Sequence, residues 1–185
     1  MLHTRYMAIG LIMGAVALGA GCASHTPSEQ HRTSGQTVDD SALVAKVKSA
    51  LVKNPTTKAR QVDVTAYNGE VILAGFVDTP EEKAEAGRVA KDVAGSAKVR
   101  NDLIVKAGER TAGQAVDDTV ITAKVKAALI ADARTKAYQI EVKTNSGVVQ
   151  LAGFVDDTTA KRAASEVAET VSGVRSVRND LEVKS

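Results

Sequence analysis

The chain has 185 residues, with 24 Lys and Arg against 22 Asp and Glu and a formal net charge of +2, which excludes a domain-scale basic footprint for nucleic acid. A single cysteine excludes an intrachain disulfide framework. With two Phe, three Tyr and no Trp, any core must be filled by Val, Leu, Ile and Ala, which bury little area per residue and give modest stability.

In chain order, residues 1–21 read as an export signal: Arg5 supplies a short positive region and Met7 to Leu18 an apolar one. The apolar run is too short for a membrane span. It ends in Leu18-Gly19-Ala20-Gly21-Cys22, which resembles a bacterial lipobox, with Gly19 standing where that pattern usually has leucine. The resemblance implies that Cys22 carries a lipid and becomes the mature N-terminus, and Ala23 after it resembles the pattern of lipoproteins sent to the outer membrane. The alternatives are ordinary cleavage after Gly21 or Ala23, leaving a soluble periplasmic protein, and, least favoured by so short an apolar run, an unprocessed membrane helix. Residues 22–37, polar and without apolar periodicity, are expected to be a flexible tether.

The rest of the chain is one pattern written twice. Sliding the sequence by 78 positions aligns Val38–Lys106 with Val116–Lys184 without a gap, and about half of the pairs are identical. Residues 38–106 and 116–185 are therefore two modules, joined by a linker, 107–115, whose two glycines point to a joint rather than an element.

Each module opens with a helical pattern, Leu43, Val47, Ala50 and Leu51 in the first and Ile121, Val125, Ala128 and Leu129 in the second. Asp39 or Asp40, and Asp117 or Asp118, are expected to cap these helices, while Lys46, Lys48, Lys124 and Lys126 lie off the apolar stripe. Two strands come next, around Asn68-Gly69 and Ser146-Gly147, whose pairing with alternating flanks signals a hairpin with positive φ at both turn residues. In the main strand Val71, Leu73, Gly75 and Val77 match Val149, Leu151, Gly153 and Val155, and this shared face should meet the helices. The opposite face differs, Ile72 against Gln150, and is expected to be less buried in the second copy. Gly75 and Gly153 are expected to allow a bulge or the close approach of a helix. Thr79-Pro80-Glu81-Glu82 is a capping box that opens a second helix, and Asp157 caps its counterpart. Gly95 and Gly173 should end these helices through the left-handed conformation before a last strand, Val99–Val105 or Val177–Val183.

The element order α-β-β-α-β, the Val-x-Leu-x-Gly strand (Val71 to Gly75, Val149 to Gly153), the glycine after the second helix and the closing Val-Arg-Asn-Asp-Leu resemble the BON domain. That resemblance implies an α+β fold of two tandem α-β-β-α-β modules, each a three-stranded mixed sheet with two helices on one face. Two copies behind an export signal are similar to the dual-BON envelope proteins, which implies phospholipid binding and envelope integrity.

Little in the chain offers catalysis. His3, His25 and His31 all lie outside the modules, so histidine bases, triads and histidine-ligated metals have no foothold in them, and no glycine-rich phosphate loop is present. The carboxylates shared by both copies (Asp39, Asp40, Asp78 and Asp102; Asp117, Asp118, Asp156 and Asp180) sit at helix starts and strand ends. No enzyme, metal or cofactor is expected. For a membrane surface the candidates are cations of the second module: Lys124 and Lys126 with Arg134 and Lys136, and Lys161 with Arg162. The expected partner is anionic phospholipid, on the periplasmic face of the outer membrane. The alternatives are a scaffold that recruits an envelope assembly protein or another copy of the chain through exposed sheet faces or edges, such as that bearing Phe76, or a soluble osmotic-stress protein.

Overall fold

The computed structural model describes residues 34–57, 61–108, 111–135 and 139–184. The signal segment, Cys22 and Lys136 lie outside them.

The first module runs α1 (Ser34–Lys53), β1 (Val62–Tyr67), β2 (Glu70–Val77), α2 (Pro80–Ala94), β3 (Lys98–Asn101) and β4 (Ile104–Val105). The second runs α3 (Ala112–Ala131), β5 (Ile140–Asn145), β6 (Val148–Val155), α4 (Thr158–Glu169) and β7 (Ser176–Val183). In each, the long central strand pairs antiparallel with the strand before it and parallel with the strand after it. The break between β3 and β4 is slight, since Asp102 N still donates to the Leu73 carbonyl at 2.9 Å.

The hairpins follow from their turn residues. Asn68 and Gly69 have φ of 49° and 75°, Ser146 and Gly147 of 50° and 78°, so both central positions are left-handed, as the right-handed strand twist favours. The helix starts differ from expectation, and the aspartates explain why. Asp40 is buried inside α1, and its two carboxylate oxygens each accept a hairpin N–H, from Asn68 and from Gly69, at 2.9 Å. Asp118 does the same inside α3 for Ser146 (2.8 Å) and Gly147 (2.9 Å). These aspartates cap turns, not helices. The N-cap of α3 is Thr111, in a reciprocal capping box with Gln114, so the helix takes over the end of the expected joint.

On one face of the first sheet Val62, Val64, Val71, Leu73 and Val77 meet Val47 and Leu51 of α1 and Ala86, Val89 and Ala90 of α2. The second module repeats this with Val142, Val149, Leu151 and Val155 against Val125, Leu129, Ala164 and Ala168. The shared face meets the helices. The motif asparagines tie the layers: Asn101 Nδ2 donates to the Lys83 carbonyl of α2 at 2.7 Å, and Asn179 Nδ2 to the Lys161 carbonyl of α4 at 2.7 Å.

The other sheet faces are packed on each other, which reverses the expectation of an exposed second face. Gln150 is 1 % exposed, and Phe76 is also buried. Residues 32–185 form one compact unit, and the two sheets are its middle. Gln150 Oε1 accepts from Gly75 N at 2.7 Å, while its Nε2 donates to the Asp102 carbonyl at 2.8 Å and to Asp180 Oδ2 at 2.7 Å. Tyr67 lies 5.3 Å from Phe154, ring centre to ring centre, with Ile72 in the same cluster. Lys143 pairs with Asp63 at 2.6 Å, and Arg100 donates to Glu182 and to the Asp180 carbonyl.

Two glycine expectations also change. At Gly75 (φ 124°) an added Cβ would stand 1.9 Å from the Gln61 carbonyl oxygen, and at Gly153 (φ 120°) 2.2 Å from that of Gln139. The close neighbour is thus the chain entering the adjacent strand, not a helix. Gly95 caps α2 with φ 62° and an N–H donated to the Lys91 carbonyl, but with ψ of −112° it is not in the left-handed helical region. α4 stops at Glu169 with Thr170 as its cap, leaving Gly173 in the following turn.

Candidate functional site

Because the sheets cover each other, helices form the outer layer of each module. Among them α3 is unusual. Its inner face, Ile121, Val125 and Leu129, is in the core, and Thr122 Oγ1 donates to Thr144 Oγ1 at 2.7 Å to fix it on β5. At its far end the Thr135 hydroxyl donates to the Leu129 carbonyl.

The outer face carries a second apolar line. Val116, Val120, Ala123, Ala127 and Ile130 are all exposed, and their alternating spacing of four and three places them along one side of the helix. Val116 is 64 %, Val120 45 % and Ile130 76 % exposed. The matching line on α1 has Ala42, Ala45, Ser49 and Val52, so only its last described member is large. A core-packed helix needs one apolar face, and α3 has two.

Lys124 and Lys126 stand on opposite sides of this outer line, each about 80° round the helix from it at 3.6 residues per turn. Lys126 Nζ is 3.2 Å from Glu141, while Lys124 makes no ion pair among the described residues. On such a strip the lysine stems run beside the apolar side chains while their ammonium groups reach past them toward water.

The other expected cations are placed differently. Lys161 and Arg162 open α4; Lys161 is half-buried, and Arg162 faces Glu166 at 3.6 Å. Arg134 donates to both Asp132 oxygens and to Glu166 at 3.1 Å, and these bonds push its guanidinium above its ordinary pKa and Asp132 below its own. The geometry therefore brings Lys124 and Lys126 to one apolar strip and leaves Arg162 and Arg134 in local acid–base pairs. The exposed alanines and valines of α3 were the missed signal, visible once the inner stripe is assigned to the core.

Four of the shared carboxylates are held by cations of their own module. Asp78 binds Lys106 at 2.8 Å and Asp156 binds Lys184 at 2.6 Å, while Asp102 and Asp180 hold Arg100 and Arg178. Among the described residues no helix is long and apolar enough to cross a membrane.

The BON-domain family model matches residues 39–107 and 117–185. The chain is 36 % identical over 186 residues to the osmotically inducible protein Y of Escherichia coli, covering 94 % of this chain and 92 % of that one. It is 34 % identical to the outer membrane lipoprotein DolP of Haemophilus influenzae, covering 88 % and 84 % of the two chains. A 21 kDa hemolysin of Actinobacillus pleuropneumoniae is 34 % identical, over 83 % and 78 %.

Proposed function

The chain belongs to the BON-domain family, and from that premise we propose that it is a non-enzymatic envelope protein whose second module lies on a phospholipid surface through the outer face of α3. The observation that carries this reading is the exposed line Val116, Val120, Ala123, Ala127 and Ile130 with Lys124 and Lys126 on its flanks. Partial burial of that line in the headgroup boundary supplies the apolar term, and each lysine near an anionic surface adds about 1 kcal/mol. Neither term alone holds a soluble domain on a membrane, so an anchor at Cys22 complements them. Relatives named as an outer membrane lipoprotein and as an osmotically inducible protein support the periplasmic face of the outer membrane and a role in envelope stress. The scaffold reading through a sheet face bearing Phe76 loses that residue, which is buried, and is left with the sheet edges.

Co-sedimentation of residues 23–185 with anionic and neutral vesicles, at low and high salt, tests the docking surface without the anchor. Anionic-selective binding that weakens with salt is expected. Val120→Asp should abolish it, Lys124→Gln should weaken it about fivefold, and Lys161→Gln with Arg162→Gln should leave it nearly unchanged. Binding that survives Val120→Asp and falls with the Lys161 and Arg162 pair would move the surface to α4.

A further inference from the structure

A cleft of about 400 Å³ opens beside α3, within the range of small-ligand sites. It is bounded by α3, the Ser146-Gly147 turn and the loop from α4 to β7. Its shape has a local cause. α4 ends at Glu169, whereas α2 continues to Ala94, the counterpart of Ser172, so the chain through Ser172 and Gly173 leaves the helix early. Gly147 then lets Arg175 cross the hairpin turn: a Cβ there would stand 2.6 Å from the arginine stem. Arg175 N donates to the Gly147 carbonyl at 2.8 Å, which fixes the residue at the cleft. The first module has Ala97 in its place and Ala94 for Ser172.

The charges around this cleft are not neutralised by ion pairs, and the Arg175 guanidinium makes one long bond, from Nη1 to the Ser146 carbonyl at 3.5 Å, which leaves its other donors for a ligand. Lys124, Asp117 and Arg175 all line it, and none has an ion pair among the described residues, whereas Arg100, Arg134, Lys143 and Arg178 all do. Asp117 and Lys124 lie on the same flank of α3, about 10 Å apart along its axis, too far to neutralise each other directly. Asp118 contributes no free carboxylate, since both its oxygens accept from the turn. A bare anion would satisfy the two cations and face Asp117 with like charge. A group with a phosphodiester and an ammonium a few ångströms apart satisfies all three.

We propose that this cleft is a binding site for a phosphoethanolamine-type group, with Arg175 and Lys124 on the phosphate oxygens and Asp117 on the ammonium. Arg175 suits the phosphate because its planar fork offers paired donors. The group has two possible sources, a phospholipid head or a free glycerophosphodiester. The cleft adjoins the α3 surface assigned above to the membrane, so the lipid source alone rests on that reading.

The test titrates residues 23–185, which include the whole compact unit, with sn-glycero-3-phosphoethanolamine, sn-glycero-3-phosphoglycerol and inorganic phosphate, following backbone amides by NMR. The ethanolamine diester should move Gly147, Gly173 and Arg175 and bind most tightly. Arg175→Ala, which restores the residue of the first module, should weaken it about tenfold, and Asp117→Asn should erase the preference over the glycerol diester. Absence of shifts with all three probes, equal binding of the two diesters, or binding indifferent to Arg175→Ala overturns the proposal. In a vesicle arm, binding that rises with phosphatidylethanolamine content and needs Arg175 identifies the lipid head. Probe binding with indifferent vesicles identifies the free diester. Vesicle binding that survives Val120→Asp, while the unaltered protein binds the ethanolamine diester, sinks the docking reading alone; an unaltered protein that binds vesicles but none of the three probes sinks the cleft alone.

Discussion

The two modules agree in most of the contacts that hold sheet, hairpin and helices together within a module, and their differences are concentrated where a module meets something else. Val71, Leu73 and Val77 recur as Val149, Leu151 and Val155 under the helices, Asp40 recurs as Asp118 under the hairpin, and Asn101 recurs as Asn179 against the second helix. The differences gather at three places. Ile72 against Gln150 and Tyr67 against Asn145 lie on the joined sheet faces; Ser49 against Ala127 and Ala42 against Val120 lie on the outer line of the first helix; Ala97 against Arg175 lies at the cleft. A duplicated domain thus keeps its internal contacts and diverges on its surfaces, and here the second copy has the larger apolar strip and the extra cation.

The largest effect should come from what both copies share. Gly75→Ala places a Cβ on the Gln61 carbonyl at a φ that L residues rarely adopt, and Gly153→Ala repeats the conflict with Gln139. Each should cost about 3 kcal/mol or more, seen as a lower denaturation midpoint or loss of soluble protein. Gly95→Ala has open space around it and meets only the backbone strain of φ 62° and ψ −112°, so it should cost about 2 kcal/mol. If Gly75→Ala proves as mild as Gly95→Ala, the close approach does not govern the module.

Next is the joint between copies. Gln150→Ile installs the residue of the first module but leaves Gly75 N and the Asp102 carbonyl without their partner in the interface. Each abandoned buried group costs about 1 to 3 kcal/mol, so the variant should melt earlier despite its similar bulk, and in two steps if the modules come apart. A single unshifted transition would show that the Gln150 bonds add nothing to the joint beyond its ion pairs and apolar contacts.

These sites also mark how far the sequence could be read. Element order, the helix-facing strand positions and the hairpin turns were legible, because alternation, Asn-Gly and the repeat are local signals that occur twice. The aspartates were misread because a carboxylate in a first helical turn and one beneath a distant hairpin look alike along the chain; only tertiary packing brings Asp40 within 2.9 Å of Asn68 N. The pairing of sheet faces was hidden for a related reason. A glutamine in a strand reads as exposed until a second strand offers its amide both donors and acceptors, as Gly75, Asp102 and Asp180 do for Gln150. The apolar line on α3 was visible in the spacing but could not be distinguished from core until the inner face was known.

A smaller contrast separates equivalent arginines. Arg100 reaches across the joint to Glu182 while holding Asp102 at 2.7 Å; Arg178 holds Asp180 of its own strand at 3.0 Å and is more exposed. Arg100→Ala should cost about 1 to 2 kcal/mol, and Arg178→Ala less than about 0.5 kcal/mol. Chemical denaturation of the two variants in parallel checks this, and equal losses would mean that the Glu182 contact adds nothing.

The smallest effect lies where the first helix of each module meets the second. In the first module Asn54 Nδ2 donates to Glu85 at 2.8 Å and Arg88 adds a 2.7 Å bond; in the second, Glu85 is replaced by Ala163 and the tie runs from Asp132 through Arg134 to Glu166. The Arg88 bond first, then that of Asn54, lowers the Glu85 carboxyl from 4.5 to about 2. Because the folded pKa lies below the unfolded one, the stability this carboxylate contributes is complete above pH 4.5 and is lost as pH falls through about 2. Glu85→Gln removes the charge but keeps an oxygen for Asn54, so its melting deficit should be small at neutral pH, shrink between pH 4.5 and 2, and diminish with added salt. A deficit that is constant over that pH range would assign the contribution of Glu85 to packing against Asn54 rather than to its charge, and the two modules would then close their helix pairs by shape alone.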